Sequence, residues 1–190
     1  NSGLAWSFND GALWAGKGAN VQVTAGVRVA AGPLTLTLAP QLVYAQNADY
    51  DVVFYPDPAD QGSPWADPWA TKPESFDSPT RFGDESRRFV SPGQSSLVLA
   101  AGPVAAGFAT ENQWWGPGIR NAILMSNHAG GIPHLFLRPD APVRTAVGDF
   151  SGKWMVGRLR ESSYFDFDRK NDIRSLSALA VTFTPAGEPD

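Results

Sequence analysis

The amino-acid sequence predicts an all-β, antiparallel fold on three observations. Apolar and polar residues alternate with a period of two over long runs, glycine-proline pairs punctuate those runs, and no window sustains the period of a helix. Residues 21–44 carry the clearest alternation. Val21, Val23, Ala25, Val27 and Val29 fall on one face, with Gln22, Thr24, Gly26, Arg28 and Ala30 on the other. After the turn Ala31-Gly32-Pro33, Leu34, Leu36, Leu38, Leu42 and Tyr44 share one register against Thr35, Thr37 and Gln41. Pro40 interrupts the second arm, because a residue without an N–H suits an edge or a bulge. Each arm runs to about ten residues, the length of an outer-membrane barrel strand and more than the five or six usual in soluble sheets. Alternation by itself leaves two readings open: a soluble sandwich with the apolar face turned to a core, or a barrel with that face turned to lipid.

A second hairpin is expected from residues 95–101 and 104–111 about Gly102-Pro103, with Leu97 and Leu99 opposed to Ser96 and Val98, and with Phe108 in register with Val104 and Ala106. Further strands are expected at 134–138, 144–150, 153–160 and 174–184, the last presenting Leu179, Val181 and Phe183 to apolar surroundings. Between the hairpins, residues 46–93 read as a long polar loop rich in Pro, Asp, Ser and Trp, since Pro56-Asp57-Pro58 favours extended and turn structure. Trp65 and Trp69 either pin that loop to the sheet or line a ligand groove. The expected organisation is a single β region over residues 1–190. A chain that begins at Asn1 without Met is read as a fragment of a larger barrel or a mature form.

Composition narrows the function classes. The 190 residues carry 15 Lys and Arg against 19 Asp and Glu, scattered rather than blocked, so no basic face is available to neutralise nucleic-acid phosphates. There is no cysteine, which removes disulfides, thiolate metal sites and cysteine nucleophiles, and the two histidines, His128 and His134, do not make a histidine-rich metal centre. No window approaches the roughly 18 apolar residues of a membrane helix, a statement that says nothing about strands. No cofactor-binding motif, serine elbow or phosphate loop occurs.

The most informative segment is Glu111-Asn-Gln-Trp-Trp-Gly-Pro-Gly-Ile-Arg-Asn-Ala-Ile-Leu-Met-Ser-Asn-His-Ala-Gly-Gly-Ile-Pro133. Indole faces cover the C–H faces of sugar rings, and Glu, Gln, Asn and Arg direct hydrogen bonds to hydroxyls and acidic groups. The turn Gly116-Pro117-Gly118 fixes how Trp114 and Trp115 are presented, and on a strand the two would point to opposite faces. Both tryptophans can equally serve as wall or girdle aromatics. Glu111 either accepts from sugar hydroxyls or pairs with Arg120 to hold the turn. Arg120 and Asn121 offer contacts to a carboxylated sugar, or are plain surface residues, and Ser126, Asn127 and His128 contact ligand or brace the loop backbone.

At Glu111-Asn-Gln-Trp-Trp-Gly-Pro-Gly and the following Ile-Leu-Met-Ser-Asn-His-Ala-Gly-Gly-Ile-Pro, the chain resembles the capsule assembly Wzi family of bacterial outer-membrane proteins. That family shows a Glu-x-x-Trp-Trp-Gly-Pro block and then a Ser-Asn-Asn-Ala type block. Here His128 replaces the second asparagine. The resemblance implies an antiparallel transmembrane β-barrel, or a segment of one, with long polar loops, located in the bacterial outer membrane. It also implies a lectin that holds capsular or other extracellular polysaccharide without catalysis, its other partner being outer-membrane lipid. On this reading the ligand-binding residues are Glu111, Gln113, Trp114, Trp115, Arg120, Asn121, Ser126, Asn127 and His128, with no metal or cofactor. Two alternatives stand beside it. One is a secreted carbohydrate-active hydrolase using Glu111 with Asp149, or Asp166 with Asp168. The other is a porin-like barrel with purely structural tryptophans.

Overall fold

The computed structural model describes residues 9–50, 83, 85–161, 170 and 172–187. Trp65, Trp69, Asp166 and Asp168 lie outside them. All pairings between the chain's strands are antiparallel. Its strands are β1 (Asn20–Thr24), β2 (Val27–Ala31), β3 (Leu34–Leu38), β4 (Gln41–Ala45), β5 (Arg87–Ser91), β6 (Ser96–Ala101), β7 (Val104–Ala109), β8 (His134–Pro139), β9 (Val143–Thr145), β10 (Gly148–Arg160) and β11 (Ile173–Pro185).

Several of these strands are halves of longer arms. The β1–β4 and β2–β3 pairings keep one register, with Thr24 opposite Gln41 and Val27 opposite Leu38, so Ala25-Gly26 lies across from Ala39-Pro40. Pro40, with no N–H to donate, breaks the ladder there without shifting it. Between β5 and β6 the register does shift by one residue, at residues 92–95, where Gly93 bridges to Ala39 and the Ala39 amide donates to Ser95 Oγ at 2.9 Å. This bulge moves the outward positions from even numbers in β5 to odd numbers in β6. A second bulge at 140–142 joins β8 to β9, and both lie along β10. The result is an up-and-down meander in which each arm pairs with its neighbours in sequence. Among the described residues the sheet does not close on itself.

The connections differ at the two ends. Residues 32–33, 102–103 and 146–147 make tight turns at one end, and the connections that are longer in sequence, 46–86, 110–133 and 161–172, leave from and return to strand ends at the other. Three expectations need correction here. Residues 144–150 are not one strand, because Ala146-Val147 turns the chain and Gly148, at φ 146°, begins β10. Ser151-Gly152 does not interrupt β10, whose thirteen residues pair with β11 along their whole length. The stretch read as loop 46–93 also contains β5, whose paired arginines hid a strand that completes the ladder of β4.

Burial across the sheet runs opposite to that of a soluble core. In β4, Gln41 is 6 % exposed while its neighbour Leu42 is 56 % exposed. On β8 the exposed residues are Leu135 and Leu137, and the buried ones are His134 and Phe136. Register carries the apolar side from strand to strand: Leu179, Trp154, Leu137, Ala106, Leu99 and Leu34 stand in one row, and Val156, Leu135, Phe108, Leu97, Leu36 and Val29 in the next. Nearly all of these large side chains are exposed, an apolar surface far broader than soluble monomers present to water. The small core lies on the inner face instead. Ala109, Phe136 and Met155 are packed together there, with Val98, Trp115, Met125, Leu176 and Ala178 against them. Trp115 and Met125 belong to the 110–133 excursion, which therefore folds back over the inner face.

Candidate functional site

The 110–133 segment is a loop tied at its base. Thr110 donates through Oγ1 to the Gly93 carbonyl at 2.9 Å. Asn112 and Gln94 form a reciprocal pair: Gln94 Nε2 donates to Asn112 Oδ1 at 2.6 Å and the Asn112 amide to Gln94 Oε1 at 3.0 Å. Asn112 Nδ2 then reaches across to the Ala129 carbonyl at 2.7 Å, which joins the outgoing and returning limbs. The limbs touch closely enough at Gly131 that a Cβ would strike the Thr110 and Glu111 backbone, so only glycine fits.

Further out the loop is closed by backbone bonds. The Trp115 amide donates to Met125 O at 3.2 Å, and the Ile123 amide to Trp115 O at 2.9 Å. Gly116 takes φ 142°, and a side chain there would meet Ile123. Trp114 donates its indole N–H to Gly118 O at 2.7 Å, clamping the Gly-Pro-Gly turn. The tryptophans thus lie in a loop rather than on a strand, yet they do diverge: Trp115 packs on Phe136 and Met155, and Trp114 staples the turn. Residues 9–14 form an outer strap. Asn9 Nδ2 donates to Arg120 O at 2.9 Å, the Gly11 amide to Asn127 O at 2.8 Å and the Trp14 indole to His128 O at 3.1 Å.

A lysine from the sheet floor organises the polar part. Lys153, inward on β10 and with its side chain only 16 % exposed, donates from Nζ to Glu111 Oε1 at 3.0 Å and to Gln113 Oε1 at 2.9 Å. Its ammonium also stands 4.5 Å from the Phe136 ring centroid, close enough for a cation–π contact. The expected Glu111–Arg120 pair does not form; Glu111 turns inward to Lys153 while Arg120 is exposed at the loop tip. A half-buried ammonium needs an anionic acceptor more than a surface guanidinium does. Beneath this network sits His134, 1 % exposed. Its Nδ1 donates to Ile132 O at 2.6 Å, which leaves Nε2 buried without a hydrogen-bond partner.

Two clefts flank the limb 111–115. The larger, about 750 Å³, is lined by Glu111, Gln113, Leu124, Met125, Ser126, His128 and Ile132, and closed by the end of β10 at residues 158–160. The smaller, about 330 Å³, is lined by Trp115, Arg138, Ser151, Lys153 and Thr182. Of the residues expected from sequence, Glu111, Gln113, Ser126 and His128 share the larger cleft and Trp115 lines the smaller. Trp114, Arg120, Asn121 and Asn127 line neither, and Asn112, left out of the expected set, holds the loop together. Sequence reasoning also missed Lys153, Phe136 and Arg138. Inward parity on a strand whose outward positions are apolar was the one signal available for them.

Glu111 is the one carboxylate among the described residues lining the larger cleft, and Asp149 is engaged by Arg144 at 4.0 Å. Among the described residues no group of three His, Asp or Glu side chains is placed to hold a metal ion. What the arrangement offers is fixed acceptors and donors on Glu111, Gln113, Ser126 and His128 beside an apolar wall of Leu124, Met125 and Ile132.

No curated protein and no solved structure matches the chain. The family model described as capsule assembly protein Wzi matches residues 6–187 of the 190, nearly the whole chain, including the limb, the loop and the strands that carry Lys153 and Phe136. On that match the chain belongs to the capsule assembly protein Wzi family.

Proposed function

We propose that the chain forms wall and loop of an outer-membrane β-barrel that binds capsular or other surface polysaccharide and aids its assembly or attachment at the cell surface, without chemical turnover. Family membership supports the role in capsule assembly. The observation that carries the rest is inverted burial. The alternation that leaves Leu42, Leu135 and Leu137 exposed on one side turns Lys153 and Phe136, with the Glu111–Gln113 limb docked on them, to the other. An apolar outer band around a polar interior is how strands cross lipid. The two clefts then open inside, where amide, carboxylate and hydroxyl groups meet sugar hydroxyls and the Trp115 indole offers a stacking face. Among the described residues the larger cleft holds one carboxylate, Glu111, and it is engaged by Lys153, an arrangement that supports binding; hydrolysis calls for two acids at a set separation.

The test uses the full chain in detergent micelles with the purified surface polysaccharide of its source, followed by calorimetry and by an assay for new reducing ends. Gln113→Ala with Trp115→Ala is expected to weaken binding about five- to thirtyfold, from a stacking contact and a hydrogen bond worth roughly 1–2 kcal/mol together. Reducing ends that appear with the wild type and vanish in Glu111→Gln would establish the hydrolase instead. Binding untouched by the double substitution would leave Trp115 structural and favour a porin.

A further inference from the structure

We infer that Arg158 and Arg160 form a docking point for the phosphate groups of the glycolipid in the outer leaflet around the barrel; this rests on the membrane reading proposed above. The tight turns at 32–33, 102–103 and 146–147 all lie at one end of the meander and the connections longer in sequence at the other. Outer-membrane barrels keep short turns on the periplasmic side and long loops outside. The end of β10 at Arg160 therefore faces outward from the cell, beside the 110–133 loop.

Even-numbered residues of β10 point to the apolar side: Trp154 and Val156 stand in the two exposed rows, and Arg158 and Arg160 follow on the same side, both exposed. At about 3.4 Å per residue, Arg158 and Arg160 are roughly 7 Å apart along the strand, directly past the apolar band. Both border the larger cleft where β10 closes it, but Leu159 between them takes the inward side. Neither forms an ion pair among the described residues, whereas Arg144, Lys153 and Arg174 each have a carboxylate partner.

The remaining outward-facing basic residue of the described strands, Arg88, also lies at the long-loop end, one row beyond Leu42 and 5.7 Å from the Tyr44 ring centroid. At the turn end the outward positions are Val104, Val143, Phe150 and Phe183. Guanidinium groups confined to the outer rim of an apolar band, able to take phosphate oxygens two at a time, match a leaflet whose headgroups carry phosphate.

The experiment titrates diphosphoryl lipid A into the full chain in neutral detergent micelles. A basic residue at an anionic membrane surface contributes about fivefold in affinity, so Arg158→Gln with Arg160→Gln is expected to weaken binding about 25-fold. Arg28→Gln, on the inward side of β2, is expected to leave it unchanged. Unaltered affinity in the double variant overturns the inference, as does equal affinity for dephosphorylated lipid A. Equally tight binding of inorganic phosphate would make this a free-anion site and overturns it too. The chain has no cysteine, so a polarity-sensitive dye on Val156→Cys reports the environment of that strand in phosphatidylcholine vesicles. A water-like signal there would sink the membrane reading itself. A lipid-like signal with unchanged lipid A affinity in the double variant would sink the docking point alone.

Discussion

The outer face of β8 and β10 and the inner face of the same two strands are built from alternate residues of one chain, yet they face opposite environments. Outward stand Leu135, Leu137, Trp154 and Val156, all substantially exposed, and inward stand His134, Phe136, Lys153 and Met155, covered by the 110–133 loop. The outer residues touch little protein and are chosen for what surrounds the sheet. The inner ones are chosen for each other, which is why a lysine, an aromatic ring and a fully buried methionine succeed where the outside takes aliphatics. A shift of one residue exchanges the two roles, so the bulge at 92–95 matters as much as any side chain.

The contrast can be broken from either side. The largest effect is expected from Met155→Ala, which opens a cavity at the centre of the inner core and should cost about 2–5 kcal/mol, read as a lower urea midpoint in vesicles with an unchanged slope. Leu137→Arg moves the charge that Arg138 already carries inward onto the outward side, at an expected cost of about 2–4 kcal/mol in a bilayer. A neutral result there would remove lipid as the surroundings of that face. Lys153→Met keeps the stem but releases Glu111 and Gln113. At a partly exposed pair the loss should be roughly 1 kcal/mol, seen as faster proteolysis of residues 113–124 and as loss of the salt dependence expected of the wild-type loop. Arg120→Ala sharpens the correction to the expected ion pair: with the side chain at an exposed loop tip, stability should move by no more than about 0.5 kcal/mol and loop proteolysis should not change.

Much of the wall was legible before any coordinates. The 21–44 hairpin, its turn, the Leu97–Leu99 and Phe108 parities and the outward Leu179, Val181 and Phe183 follow from alternation, which is a local property. Two misreadings were local as well, since β5 begins with two arginines and the turn at Ala146-Val147 lacks the usual turn residues. The site was less legible because its contacts are distant in sequence. Lys153 meets Glu111 across 42 residues, and Gln94 meets Asn112 across 18. The Glu-x-x-Trp-Trp-Gly-Pro pattern marked where the site lies without indicating that Trp114 staples a turn, that Trp115 seals a core, or that Arg120 would stand apart.

Sequence alone determined the antiparallel class, which strand residues share a face and the segment that carries the family signature, because each of these is written in the period and chemistry of neighbouring residues. Tertiary structure decided which side is covered, which cation Glu111 takes and how the loop gathers its polar groups on one cleft while Trp115 lines the other. Those outcomes depend on long-range register and on the need of a half-buried ammonium for an acceptor, and neither is set until the strands have paired.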